Sequence, residues 1–213
     1  MSAFSTPRGL AIRIALVVAL LIAALIGLLV REDRARASGV EVRLAMEAFD
    51  PRSLLSGHYA ALQLTEALPP QAPCPPDLDA HFTSDESWVA LSPTAEGHHR
   101  VSGGGGDREA AAEHGPVLVR GQATCREGEL PPGREGVGET PTEPQTQQIV
   151  ALDIGISRFY ADQKSAEAME AALREAAAPG GTAAFAIVSV GRDGRGRLKG
   201  VEIDGVRTEL GWF

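Results

Sequence analysis

The residues from Asp50 to Tyr59 form a dense group of side chains that could do chemistry. A carboxylate, a guanidinium, two hydroxyls, an imidazole and a phenol occur there, at Asp50, Arg52, Ser53, Ser56, His58 and Tyr59. Such groups supply acid–base or nucleophilic catalysis when a fold holds them together. Neither serine has a sequence context that would activate it, so a hydrolase would have to use His58, Tyr59 and the distant Arg158.

The same stretch has the pattern of a turn that leads into a strand. Asp50 before Pro51 favours an extended residue and then a turn, Gly57 permits backbone angles that other residues resist, and residues 59–64 are mostly apolar. This pattern predicts a shaped loop that ends on a strand. The candidate binding residues are those of this loop and of a later segment, namely Arg52, Gly57, His58, Tyr59, Arg158 and Tyr160.

The five histidines do not have metal-ligand spacing. None forms a His-x-His or His-x-x-x-His pair, and the adjacent His98 and His99 would point to opposite faces of a strand. The sequence therefore predicts no metal site and no cofactor, with the histidines at the surface.

Two cysteines, Cys74 and Cys125, lie among residues typical of loops. In an oxidising compartment they would form one disulfide, and otherwise they are two unrelated thiols. Neither belongs to a Cys-x-x-Cys motif, so redox catalysis and zinc binding have no support from spacing.

The amino-terminal region contains an apolar run long enough to span a membrane. Residues 10–30 are apolar except for Arg13, and no polar face interrupts them. Residues 35–37, Ala-Arg-Ala, have the small-x-small form of a signal-peptidase site. Four charged residues at 31–34 separate this site from the apolar run, which favours an uncleaved anchor. Counting positive charges on the two sides does not settle the orientation.

Charge is divided unevenly along the chain. Residues 1–36 carry five Arg against Glu32 and Asp33, or +3, so the remainder must carry −11 to give the total of −8. An acidic domain repels phosphate backbones and anionic lipid headgroups. The sequence thus argues against nucleic-acid binding and against a membrane-surface role beyond the anchor, while leaving any small-molecule ligand unknown.

Periodicity after residue 38 predicts mainly short strands. The predicted strands cover residues 40–49, 59–64, 87–91, 98–102, 116–124, 148–156, 183–190 and 197–203, with a short strand after Asp204-Gly205. One main helix is expected after Asp162, with an apolar stripe at Ala166, Met169, Leu173 and Ala176. Flexible loops are expected near 102–115, where four glycines follow one another, and near 126–146. The fold class is therefore α+β and β-dominated: a transmembrane helix in a region 1–37, then a sandwich or partly open barrel over 38–213.

The loop resembles the signature of the GDYXXLXY family of bacterial membrane-anchored proteins, with matches at 50–52, Leu54, Gly57, Tyr59 and Leu62. Further similarity lies at 120–121, 155–160 and the two Asp-Gly pairs at 193–194 and 204–205. His58 stands where the family has Asp, Leu64 where it has Tyr, and Gln163 where Glu is expected. Losing carboxylates weakens an acid–base or metal proposal and favours packing or hydrogen bonding.

The resemblance implies an anchored domain outside the cytoplasm, in the periplasm, and association with a multi-pass integral membrane protein. We expect a single-pass protein of the inner membrane that serves as a non-enzymatic interaction or accessory domain. The alternative is a cell-envelope hydrolase that uses the 50–64 segment. We also expect this segment to meet residues 158–160, so that Arg52, Tyr59, Arg158 and Tyr160 form a polar and aromatic patch.

Overall fold

The computed structural model describes residues 7–48, 59–78, 87–129, 146–156, 158–160, 171–172 and 183–209. The chain divides into two compact units, Met1–Ser38 and Gly39–Phe213. The first unit is a helix, and the second contains the strands.

The helix α1 covers Pro7–Ser38, which is 32 residues. At about 1.5 Å per residue it is about 48 Å long, more than the roughly 30 Å hydrocarbon core of a bilayer. None of its most apolar window is buried, so α1 is not the core helix of a soluble domain. By length and composition it is a candidate membrane span, a description that a signal sequence would also satisfy.

Eleven strands and a short helix follow in the described residues. Their bounds are β1 Val40–Ala48, β2 Tyr59–Ala67, β3 Trp88–Pro93, β4 His99–Gly105, α2 Arg108–Ala112, β5 Val117–Arg120, β6 Gln122–Glu129, β7 Thr146–Asp153, β8 Arg158–Tyr160, β9 Ala184–Val190, β10 Gly196–Ile203 and β11 Val206–Glu209.

Seven strands lie side by side in the order β11-β10-β9-β1-β2-β7-β6, each antiparallel to its neighbours. A second group of three has β3 between β4 and β5, and it joins the first where β4 runs parallel to β1, with Leu44 opposite His99. The short β8 pairs with β2. The strands that the structure describes do not close into a barrel. The prediction of a β-dominated α+β fold after an apolar helix is confirmed.

The core lies against β1 and β9 because these strands have the required alternation of side chains. Val42, Leu44 and Met46 on β1 are buried, whereas Arg43 and Ala45 between them are only half-buried. Strand β9 is apolar over most of its length, and Ile187 and Val188 have no exposed surface. These two strands pair over seven residues, which makes them the centre of the domain.

The glycine run at 103–106 differs from the expected flexible loop. Gly103, Gly104 and Gly105 are buried and form the end of β4, and α2 begins at Arg108. A Cβ on Gly103 would lie 2.4 Å from the His114 ring, and one on Gly104 would lie 2.4 Å from the Asp77 carbonyl oxygen. The missing side chains let neighbouring groups approach this strand closely.

Two other predicted segments also differ in detail. The single strand expected over 116–124 is divided into β5 and β6 at Gly121, whose φ is +155° and whose Cβ would lie 2.3 Å from the Asp153 carbonyl oxygen. Residues 126–129 of the expected second loop belong to β6. The predicted main helix falls outside the described residues apart from 171 and 172, which are helical.

Candidate functional site

Half of the predicted site residues can be located in the fold. Arg52, Gly57 and His58 lie outside the described residues. The backbone pairing of β2 with β8 places Tyr59 opposite Tyr160 and Ala61 opposite Arg158. The two stretches therefore meet in the sheet, while a shared patch of four side chains and a hydrolase that uses His58 stay predictions.

A polar cluster that the sequence did not single out lies where the β3–β4 hairpin meets β2. We call it the His98 cluster, and it consists of Glu66, Thr94, His98 and Arg100. Glu66 Oε1 lies 2.6 Å from Arg100 Nε and 3.2 Å from His98 Nε2. The side chains of Glu66 and His98 are only 15% and 12% exposed. Such a buried carboxylate needs these partners, because leaving it unpaired would cost several kcal/mol.

The His98 cluster includes a hydroxyl–imidazole–carboxylate row of the kind found in nucleophilic catalysis. Thr94 Oγ1 lies 3.1 Å from His98 Nδ1, and His98 Nε2 contacts Glu66 on its other side. The Thr94 hydroxyl, however, donates to the His98 carbonyl oxygen at 3.1 Å, beside the backbone bond that closes the same turn. Glu66 is in turn engaged by Arg100. These contacts close the β3–β4 turn and hold the hairpin against β2.

Arg43 connects the β3–β4 hairpin to strands β9 and β10. Its Nη2 pairs with Glu202, its Nη1 donates to the Gly97 carbonyl oxygen at 3.2 Å, and its guanidinium lies 4.6 Å from the centre of the Phe185 ring. The His98 ring also contacts Phe185, at 5.5 Å between ring centres. One guanidinium thus joins the hairpin to two strands far away in the sequence.

His99 is held in its neutral form by its surroundings. Burial lowers the pKa of His99, and the neighbouring His98 lowers it further. The Arg43 backbone N–H lies 3.4 Å from His99 Nδ1, which can accept it only when unprotonated. The three described histidines, His98, His99 and His114, are all half-buried, so each is partly covered by its neighbours.

The cavity beside His99 is too small for a substrate. It has a volume of about 20 Å³ and is lined by Thr65, Glu66 and His99 among apolar side chains. A second cavity, against Trp88, measures about 30 Å³. On this measure about 10–15 Å³ is enough to hold one water, whereas ligand pockets measure about 300–1,000 Å³. Within the described ranges, no three His, Cys, Asp or Glu side chains come together as metal ligands.

Cys74 and Cys125 form a disulfide with 5.9 Å between their Cα atoms. It joins the segment that follows β2 to the middle of β6, across 51 positions of sequence. By the chain-entropy estimate, a loop of this length contributes about 4 kcal/mol to stability. The arrangement is structural, because both sulfurs are used in the bond.

Two surface carboxylates on the seven-stranded sheet are strongly engaged by cations. Glu41 receives Lys199 Nζ at 2.7 Å and Arg207 Nη1 at 2.6 Å, and these hydrogen bonds, that of Arg207 first, lower the pKa of Glu41 to about 2. Asp193 lies 3.0 Å from Arg197 Nη2, which lowers the pKa of Asp193 to about 2. The Glu41 contacts join β1 to β10 and β11 across β9, and the Asp193 contact joins the β9–β10 turn to β10.

Sequence reasoning missed the His98 cluster because its partners lie far apart in the chain. Glu66 and His98 are 32 positions apart, and Arg43 and Glu202 are 159 apart. The available signal was the polar run His98-His99-Arg100 at the start of a predicted strand, because polar side chains need hydrogen-bond or charge partners once they are packed.

Comparison with known proteins identifies a family. The family model of the GDYXXLXY protein matches residues 21–201, which is most of the chain and includes β1, β2, β8 and most of β10. No curated protein matches the chain significantly, and no solved structure does either. Because the match covers far more than half of the sequence, the chain belongs to the GDYXXLXY family.

Proposed function

We propose that this protein is a single-pass, membrane-anchored protein of the bacterial cell envelope. Its helix α1 stays in the inner membrane, and residues 39–213 lie in the periplasm as a non-enzymatic accessory domain for a multi-pass membrane protein. The observation that carries the proposal is α1 itself, an apolar helix whose most apolar window is not buried by any of the residues that the structure describes.

Retention of α1 is supported by the way the helix continues past its apolar part. The charged residues 31–34 and the small-x-small segment at 35–37 are helical, and the helix continues to Ser38. A peptidase would have to unwind this last turn to extend residues 35–37 across its active site. The anchor is therefore expected to survive export.

The disulfide supports the periplasmic location of the domain. Disulfides persist in oxidising compartments such as the bacterial periplasm and are rare in the cytosol. The only two cysteines in the sequence are paired with each other, and both lie in the strand-containing unit. A bridge in that unit is what a domain on the oxidising side of the membrane is expected to have.

The non-enzymatic role is supported by how the described polar groups are used. The hydroxyl of Thr94 closes a turn, Glu66 pairs with Arg100, and His99 accepts from a backbone N–H. The cavity beside Glu66 and His99, of about 20 Å³, has room for only one or two waters. The proposal of a multi-pass partner comes from the family resemblance.

Site-specific photo-crosslinking in native cells tests the proposed partner. Among the residues of the domain whose exposure the structure describes, Val40 and Val206 are the large apolar side chains most exposed, at 56% and 68%. A crosslinker at either position should form a discrete adduct that mass spectrometry identifies as a multi-pass membrane protein. The matched control carries the same crosslinker in a chain whose α1 is replaced by a cleavable signal peptide. Adducts with soluble periplasmic proteins alone, or none at all, would contradict the proposal.

A further inference from the structure

The sheet forks where β1 leaves β2 and approaches β4. Strand β1 is antiparallel to β2 at its end, where Glu47 lies opposite Gln63. Nearer its start it runs beside β4, with Leu44 opposite His99. Neighbouring strands satisfy their backbone groups through a regular ladder of hydrogen bonds, so the polar groups at a fork need partners from elsewhere.

The cavity of about 20 Å³ beside His99 lies in this fork. Two residues beyond the pair of Glu47 with Gln63, the same register would place Ala45 opposite Thr65, and both of these residues line the cavity. Their neighbours at 44 and 66 line it as well. The cavity therefore occupies the place of the next rungs of the β1–β2 ladder.

Thr65 lines the cavity and has a buried hydroxyl group. The residue is only 5% exposed, and its Oγ1 atom has no hydrogen-bond partner among the residues that the structure describes. Buried hydroxyls are almost always hydrogen-bonded, because burying one unpaired forfeits its hydrogen bonds to water. A partner for Thr65 Oγ1 is therefore expected in the cavity.

His99 lines the same cavity and has one ring N–H to donate. The Arg43 backbone N–H lies 3.4 Å from His99 Nδ1, so the neutral imidazole carries its proton on Nε2. Burial, and then the neighbouring His98, lower the pKa of His99, which favours this neutral form. No direct hydrogen bond joins the described side chains of His99 and Thr65. A group that bonds to both would fit between them.

We propose that the cavity binds an ordered water that bridges Thr65 Oγ1 and His99 Nε2. Water is the ligand that fits, because it both donates and accepts hydrogen bonds and because the cavity has room for only one or two such molecules. The water accepts from the His99 ring and donates to the Thr65 hydroxyl. This bridge joins β2 to β4 at the point where the two groups of strands meet. The inference does not depend on the membrane anchor.

Oxygen-17 relaxation dispersion of the solvent tests this proposal on the full-length protein in detergent. The method counts internal waters that stay bound for longer than the protein takes to tumble. It reports the water oxygen, so exchanging hydroxyl protons do not contribute. The cavity against Trp88 can hold waters of its own, so the change between variants is the measured quantity.

Matched variants show whether Thr65 holds the water. Thr65→Val replaces the hydroxyl with a methyl group, and we expect it to lower the count of internal waters by one. Thr208→Val makes the same replacement at an exposed position of β11 and should leave the count unchanged. Thr65→Ser keeps a hydroxyl and should keep the count of the parent protein. An equal count in the parent and in Thr65→Val, or the loss of one water in Thr65→Ser, would overturn the proposal.

Cross-relaxation between water and methyl protons locates the water and needs no variant. The buried methyl groups of Leu64 and Val101, which line the cavity, should show a strong nuclear Overhauser effect from water. Val206 is 68% exposed and contacts short-lived surface water, so its methyl groups should show almost none. The absence of this effect at both Leu64 and Val101 would show that the cavity is dry and would contradict the proposal.

Discussion

Replacing Gly194 with alanine tests how closely the β9–β10 turn packs on Trp88. Gly194 has φ +77°, and a Cβ there would lie 2.3 Å from Cζ3 and 2.5 Å from Cη2 of the Trp88 ring. Carbon atoms in contact normally stay about 3.5–4.0 Å apart, so the ring must move by about 1 Å or more. Gly194→Ala therefore adds an overpacking cost to the cost of a left-handed backbone.

The two costs can be given separate magnitudes. A left-handed conformation costs a residue with a Cβ about 1–2 kcal/mol, and overpacking a core typically costs about 1–3 kcal/mol. Together they predict that Gly194→Ala lowers the free energy of unfolding by about 2–5 kcal/mol.

A matched variant separates the two costs. Gly205 has φ +72°, and a Cβ there would have nothing within 4 Å. Gly205→Ala should therefore lose only the backbone part, about 1–2 kcal/mol. Thermal unfolding of the full-length protein in detergent, followed by tryptophan fluorescence, measures both. In a domain of this size about 1 kcal/mol shifts the Tm by about 2–4 °C. If the two variants have the same Tm, the close contact with Trp88 does not exist.

Three further predictions concern the charges, the disulfide and the strand pairing. The pKa of Glu41 is lowered from 4.5 to about 2, so its stabilising contribution is complete above pH 4.5 and is lost as the pH falls to about 2. Glu41→Gln should therefore lower the Tm at pH 6 but not at pH 2. An equal loss of Tm at both pH values would contradict the ion pairs. Cys74→Ser with Cys125→Ser should lower the free energy of unfolding in urea by about 4 kcal/mol, and dithiothreitol should destabilise the parent but leave the variant unaffected. Tyr59 and Tyr160 are directly opposite each other, so Tyr59→Cys with Tyr160→Cys should form a disulfide on mild oxidation. Tyr59→Cys with Phe159→Cys should not form one. The reverse result would show that the two strands pair in a shifted register.

The strands of this protein could be predicted from its sequence because their side chains alternate. Val42, Leu44 and Met46 indicate a strand with one buried face, and the structure buries all three. Alternation shows which face of a strand is buried, but it does not show which strand is its neighbour. The pairing of β1 with β9 joins residues about 150 positions apart, and no local pattern encodes it.

The glycine run was misread for a different physical reason. Consecutive glycines have high conformational entropy in a free chain, which favours a flexible loop. In the fold, Gly103 and Gly104 occur where His114 and the Asp77 backbone lie too close for any side chain. The loss of entropy is offset by packing that only the tertiary structure reveals.

The candidate sites were the hardest part to predict. The His98 cluster combines residues from distant segments, such as Glu66 and Arg100, which are 34 positions apart. The Tyr59 and Tyr160 segments were expected to meet because both begin or end strand patterns and both carry an Arg and a Tyr, and the β2–β8 pairing confirms that their backbones meet.

The central claim is that α1 remains as a membrane anchor, and the most direct test is the intact mass of the protein from native membranes. Membranes are washed with alkaline carbonate to remove peripheral proteins, and the protein is then extracted and weighed without reduction. The account predicts a species retained in the washed membranes that still contains α1, with mass reduced by the two hydrogens lost on forming the Cys74–Cys125 bridge. A soluble species that begins at Ser38 would show that α1 is a cleaved signal sequence and would contradict the account.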